Sequence, residues 1–248
     1  MAQTAVAPRK QSPPTRRSRR VAGALALAAV VTLSGLGVLG SARARAEPLF
    51  GLPLAGEPGP STWYVTQWYG QTVWSFRNWE DLYSAGQGMH FGVDFATPCG
   101  TAAHAIGDGV VFAVDGPYGA APHSVVIDHQ NGYLSLYGHL RQRSFLRVGQ
   151  HVKRGDVIGY TGDPASPNCD RAPHLHLEIR QPGMAVAVNP VPLIAADWHR
   201  LTIGADDLGQ RFELNYAQPG EGMDPRVQPD VDFGGPVPAR GLVAWPPR

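Results

Sequence analysis

Residues 123–140 read HSVVIDHQNGYLSLYGHL. Two runs of β-branched and aromatic residues flank Gln130-Asn131-Gly132, and Asn-Gly is a strong signal for a tight hairpin loop. Working outward, the same texture recurs in TWYVTQWYG (62–70), GVVFAVDG (109–116), DVIGYTG (156–162) and HLHLEIR (174–180), each of strand length and bounded by turn residues. The expectation is a mainly β domain of antiparallel strands with few short helices. One helix is expected, a short one near Val191–Trp198.

Among 248 residues, 30 Gly and 23 Pro agree with many turns and short strands, and the chain is long enough to bury a real core. A metal is therefore not needed for stability, and any metal site requires its own explanation. Eight of the 21 basic residues and none of the 20 acidic ones precede Glu47. The remainder is acidic overall and has no basic excess to neutralise phosphates, which argues against nucleic acid as a partner.

Residues 1–46 have the parts of an export signal: a basic run from Arg16 to Arg20, an apolar stretch from Val21 to Gly40, and small residues at Ala42, Ala44 and Ala46. Cleavage after Ala44 or Ala46 is expected. The alternative is an uncleaved anchor, since residues 21–40 are just long enough to span a bilayer as a helix. Ser18-Arg19-Arg20 also hints weakly at a twin-arginine signal. An exported chain with two cysteines, Cys99 and Cys169, is expected to join them, closing a loop of about 70 residues worth roughly 4 kcal/mol on the chain-entropy estimate. Residues 47–60 (EPLFGLPLAGEPGP) read as a linker, 61–193 as the domain, and 194–248 as an irregular Pro-rich extension.

Histidine spacing carries the chemistry. Alternation along a strand puts His174, His176 and Glu178 on one face and Leu175, Leu177 and Ile179 on the other. In His90-Phe91-Gly92-Val93-Asp94, an extended chain places His90, Gly92 and Asp94 on one face, and the missing side chain of Gly92 leaves room for an ion. In residues 133–139 the same rule groups Tyr133, Ser135, Tyr137 and His139 against the leucines. Imidazoles with a carboxylate are the ligands zinc takes when one coordination position stays open. Spacing alone does not choose between His174 and His176 as a ligand. His104, His123, His129, His151 and His199 read as hydrogen-bonded surface or boundary residues.

The order GMHFGVDFATPCGTAAHAIGDGVV, NGYLSLYGHL, VGQHVKRGDVIGYTG and APHLHLEI, with Asn189-Pro190 shortly after, resembles the lysostaphin-type (LytM-like) zinc metallopeptidases over residues 86–190. The resemblance implies a β-sandwich-like core, the duplicated hybrid motif, with an open groove. It implies His90, Asp94 and His176 as ligands of Zn2+, with His139 and His174 as the two catalytic histidines. The implied activity is an endopeptidase on peptidoglycan cross-links or bridges, exported to the cell envelope or beyond. Zinc would activate water and polarise the scissile carbonyl. Glu178 suits support of a ligand better than the role of base.

Two alternatives accompany this reading: a non-catalytic wall-binding regulator that activates another hydrolase, and a purely structural zinc. The second lacks an obvious fourth protein ligand. The segment SFRNWEDLYSAGQG (75–88) departs from the family's shorter approach to the first histidine. It could shape a groove wall, and Asn78 could approach the metal as the inhibitory asparagine of latent members does, or be a polar loop residue.

Overall fold

The computed structural model describes residues 48–201, 215–218 and 222–236. The expected leader, 1–46, lies outside them. Eleven strands carry the described chain: β1 Tyr64–Gln67, β2 Val93–Ala96, β3 Ala102–His104, β4 Gly109–Val114, β5 His123–Asp128, β6 Leu134–Leu140, β7 His151–Val152, β8 Val157–Tyr160, β9 His174–Arg180, β10 Val186–Val188 and β11 Val231–Asp232. Two short helices, α1 Val73–Arg77 and α2 Trp198–Leu201, complete the main elements.

The large sheet runs β1-β2-β9-β6-β5-β4-β7, every pair antiparallel, and β10 joins the far end of β9 with β11 outside it. A second sheet of β3 and β8 contributes Ala103 and Ile158 to the same core. Across the large sheet Val93, Leu177, Tyr137, Val125 and Val114 stand opposite one another on five neighbouring strands, and all are buried in that core. One residue further along, Asp94, His176 and Gly138 form the adjacent row. The two rows face opposite sides because the side-chain period of a strand is two, so a slip of one residue would exchange leucine for histidine in the core.

The face expected to be polar in β6 is the core face. Tyr137 is fully buried there, its hydroxyl accepting from the Ile106 amide and bonded to Ser135 Oγ, while Leu134 and Leu136 lie on the site side with Val126 and Met184. A tyrosine packs apolar ring area and needs only one partner for its hydroxyl, so it competes well for a core position.

One further expectation is corrected, and two segments outside the expected domain contribute to the core. Val191–Trp198 is not a helix: Phe50 donates to the Leu193 carbonyl and accepts from the Ala195 amide, and this bridge takes the backbone groups a helix would use. The stretch read as a linker has neither strand nor helix in its described part, yet it buries Phe50 and Leu54. The C-terminal extension is irregular in part, but it supplies β11 and buries Tyr216 and Val231. Helix α1 escaped the sequence reading. Thr72 caps it reciprocally with Ser75, a weaker signal than the usual box ending in Glu or Gln. Among the described residues no helix is long and apolar enough to cross a membrane.

Candidate metal centre

His90, Asp94 and His176 converge, each buried, and one ligand atom from each lies within 4.8 Å of the others. Asp94 and His176 stand directly opposite on β2 and β9. His90 precedes β2 and is held by a two-way backbone bridge to Gly70. Its Nδ1 donates to the Trp68 carbonyl at 2.7 Å, which leaves Nε2 facing Asp94 Oδ1 and His176 Nδ1, both at 3.3 Å. His176 Nδ1 lies 2.7 Å from Asp94 Oδ1. Gly92 makes the cradle possible: a Cβ there would sit 2.6 Å from His176 Cε1.

Behind the candidate ligands, His176 Nε2 donates to Glu178 Oε1 at 3.2 Å, and the fully buried Glu178 is held in turn by Arg180 Nε. This fixes the ring so that Nδ1 faces the cluster, the usual purpose of a carboxylate behind a metal-binding imidazole. Two imidazole nitrogens and one carboxylate oxygen, buried and convergent, form a donor set suited to a divalent transition metal.

His139 and His174 stand beside this cluster. Their ring centroids are 4.7 Å apart, and His139 lies 5.5 Å from His176. Simple alternation would put His139 on the core face with Tyr137. A bulge prevents that: His123 pairs with Leu140 and Val125 with Tyr137, so Gly138 and His139 together oppose Ser124 alone. His139 adopts φ 58°, which turns its ring to the site side and returns Leu140 to the core. Its Nδ1 donates to the Ala121 carbonyl, and His174 Nδ1 donates to the Ala172 carbonyl at 2.7 Å. Both rings thereby keep Nε2 free of those carbonyls, and His174 Nε2 lies 3.8 Å from Asp94 Oδ2.

Gly162 connects the pair, its amide donating to the His139 carbonyl and its carbonyl accepting from the His174 amide. The loop before β9 is organised by Asp163, whose carboxylate accepts from the amides of Ala165, Arg171 and Ala172. Cys99 and Cys169 form the expected disulfide, joining this loop to the turn after β2.

Burial would by itself raise the Asp94 pKa, but His90, His174 and His176 outweigh it and hold the carboxyl well below the usual range. For His176 burial acts downward, and hydrogen bonds and charge from Asp94 and Glu178 overcome it, raising the ring to about 9. Burial, with His176 and His174 close by, pushes His139 down to about 3.

Residues 88–190 match the model of peptidase family M23. The chain carries a peptidase family M23 domain. Over 103 residues the chain is 40% identical to the DD-carboxypeptidase/endopeptidase Mpg of Neisseria meningitidis, covering 42% of this chain and 22% of that protein. It is 42% identical over 91 residues to the peptidoglycan DD-endopeptidase ShyA of Vibrio cholerae, covering 36% and 20%. With lysostaphin of Staphylococcus simulans the identity is 34% over 110 residues, covering 43% and 22%. The match thus spans about a fifth of the length of these curated relatives.

Within the M23 domain all five residues singled out from the sequence come together. Asn78 ends α1 and donates its side-chain amide to the Trp74 carbonyl at 2.8 Å. Sequence reasoning passed over the carbonyls of Trp68, Ala121 and Ala172, which orient three of the rings. Backbone acceptors leave no residue-type signature. Asp163 was legible in principle, because Asp before Pro in a Gly-rich run commonly organises a turn. Tyr83, from the segment that departs from the family pattern, packs edge-on against His90 with centroids 5.7 Å apart.

Proposed function

We propose that this chain is an exported zinc-dependent endopeptidase that hydrolyses peptide bonds in peptidoglycan, with His90, Asp94 and His176 holding the zinc and His139 and His174 acting beside it. The observation that carries the reading is the convergence of all five side chains on one side of the large sheet. The substrate class is supported by relatives named as peptidoglycan endopeptidases, and the location by the composition of residues 1–46.

Zinc held by three protein ligands supplies Lewis acidity toward a carbonyl oxygen and activation of water near neutral pH. The chain's own residues supply the rest. His139 is neutral across the physiological range, so its Nε2 can accept a proton or a hydrogen bond as the nucleophile attacks. His174, fixed through Nδ1, can take a proton on Nε2 and then donate it to the leaving amine or hold the developing oxyanion. Glu178 keeps His176 in one orientation throughout.

The test is release of new amino groups from purified cell walls. A chelator or His176→Ala should reduce it to background. His139→Ala and His174→Ala should each lower kcat by about 100-fold to 10,000-fold while zinc binding persists, because neither is a ligand. Release insensitive to both chelator and His176→Ala would refute a metal mechanism. Walls left intact by the zinc-loaded protein, with stimulation of a separate amidase, would point instead to a regulator.

A further inference from the structure

The C-terminal segment that carries β11 lies beyond the M23 match, yet it reaches the surroundings of a metal ligand. It is tied down by specific bonds. Val231 and Asp232 pair with Ala187 and Val186, Phe233 donates to the Ala185 carbonyl, and Gly234 donates to Ala85. Gln87 grips the strand from the other side, accepting from the Asp232 amide and donating to the Pro236 carbonyl. These contacts fix where the Phe233 ring stands. On one side the Arg180 guanidinium lies over that ring, 4.2 Å from its centroid. The ring also meets Phe91 edge-to-face at 5.2 Å, and Phe91 meets His176 in the same way at 5.7 Å.

We propose that Phe233 is a positioning residue for the metal centre, clamping Arg180 and so fixing, through Glu178, the ring of His176. Each of the three Arg180 nitrogens has an acceptor on the edge of the guanidinium. Nε donates to Glu178, Nη1 to the Met184 carbonyl and Nη2 to the Tyr118 carbonyl, and Phe233 covers the flat face between them. An aromatic ring suits that face, since its negative quadrupole attracts the cation while its area keeps water from a buried ion pair. Glu178 depends on this arrangement, because a buried carboxylate tolerates poorly the loss of its cation. The segment that departs from the family pattern and the C-terminal extension thus meet around one ligand.

The inference rests on His176 being a zinc ligand and is tested separately from hydrolysis. Zinc affinity of the full chain is measured by competition with a chromophoric chelator, alongside melting of the zinc-free protein and the kcat and KM of wall hydrolysis. Phe233→Leu, which keeps apolar volume but removes the ring face, should weaken zinc binding about 10-fold and lower kcat more than it changes KM. Phe233→Tyr keeps the ring face and should stay within about twofold of the parent chain. Val227→Ala, at an exposed position of the same segment, should change nothing. Were Phe233→Leu to fail to fold, Phe233→Met fills the space flexibly and carries the same expectation. Unchanged zinc affinity in the Leu or Met variant would overturn the proposal, as would equal losses in the Leu and Tyr variants. A parent chain that binds no zinc would instead overturn the functional reading, before any variant is compared.

Discussion

In the proposed zinc site, protonation and metal binding compete for one atom, Nδ1 of His176. In the zinc-free protein this ring is raised to about 9, because its two nitrogens face the carboxylates of Asp94 and Glu178. An ion must displace that proton, so zinc affinity should climb about tenfold per pH unit between pH 7 and 9 and then level off. Calorimetric titration in buffers of different ionisation enthalpy should show close to one proton released per ion at pH 7. The stability of the zinc-free protein should run the opposite way. A pKa raised on folding contributes stability that is fully present below the unfolded value near 6.5 and is lost as pH rises through about 9. Zinc-free melting temperature should carry that decline, and zinc should reverse it.

At the scale of elements, the two loops that flank β9 and β2 are joined by the disulfide and organised by Asp163. Replacing both cysteines with serine should cost about 4 kcal/mol in denaturant unfolding, by restoring entropy to an unfolded loop of some 70 residues. Because the Ala172 carbonyl that holds His174 sits in that loop, kcat should fall while zinc affinity changes little. The strands were legible from alternation and turn residues, and the faces of β2 and β9 that carry the candidate ligands followed from period two. The route by which His139 reaches the site was not. A non-glycine residue at positive φ inside a strand has no pattern in the sequence, and only the family resemblance pointed to it. The missing helix at Val191–Trp198 has a different origin: its competitor, Phe50, is remote in sequence.

At the scale of the molecule, the described core draws on segments beyond both ends of the expected domain. Phe50 and Leu54 come from before it, Tyr216 and Val231 from after it, and all four are buried. Burial of four such side chains contributes roughly 6–12 kcal/mol, comparable to the whole stability of an ordinary domain. A fragment of residues 61–193 should therefore unfold at much lower denaturant concentration than one of residues 48–236, as circular dichroism would report. Those boundaries were hard to read because Pro and Gly mark turns equally well in linkers and in segments laid against a core. Gly162, whose amide and carbonyl make one bond to each catalytic candidate, links His139 to His174 through backbone alone. In the proposed enzyme, changes in the flanking loops can then alter what reaches the two rings without disturbing the pair, so selectivity and reactivity are free to diverge independently.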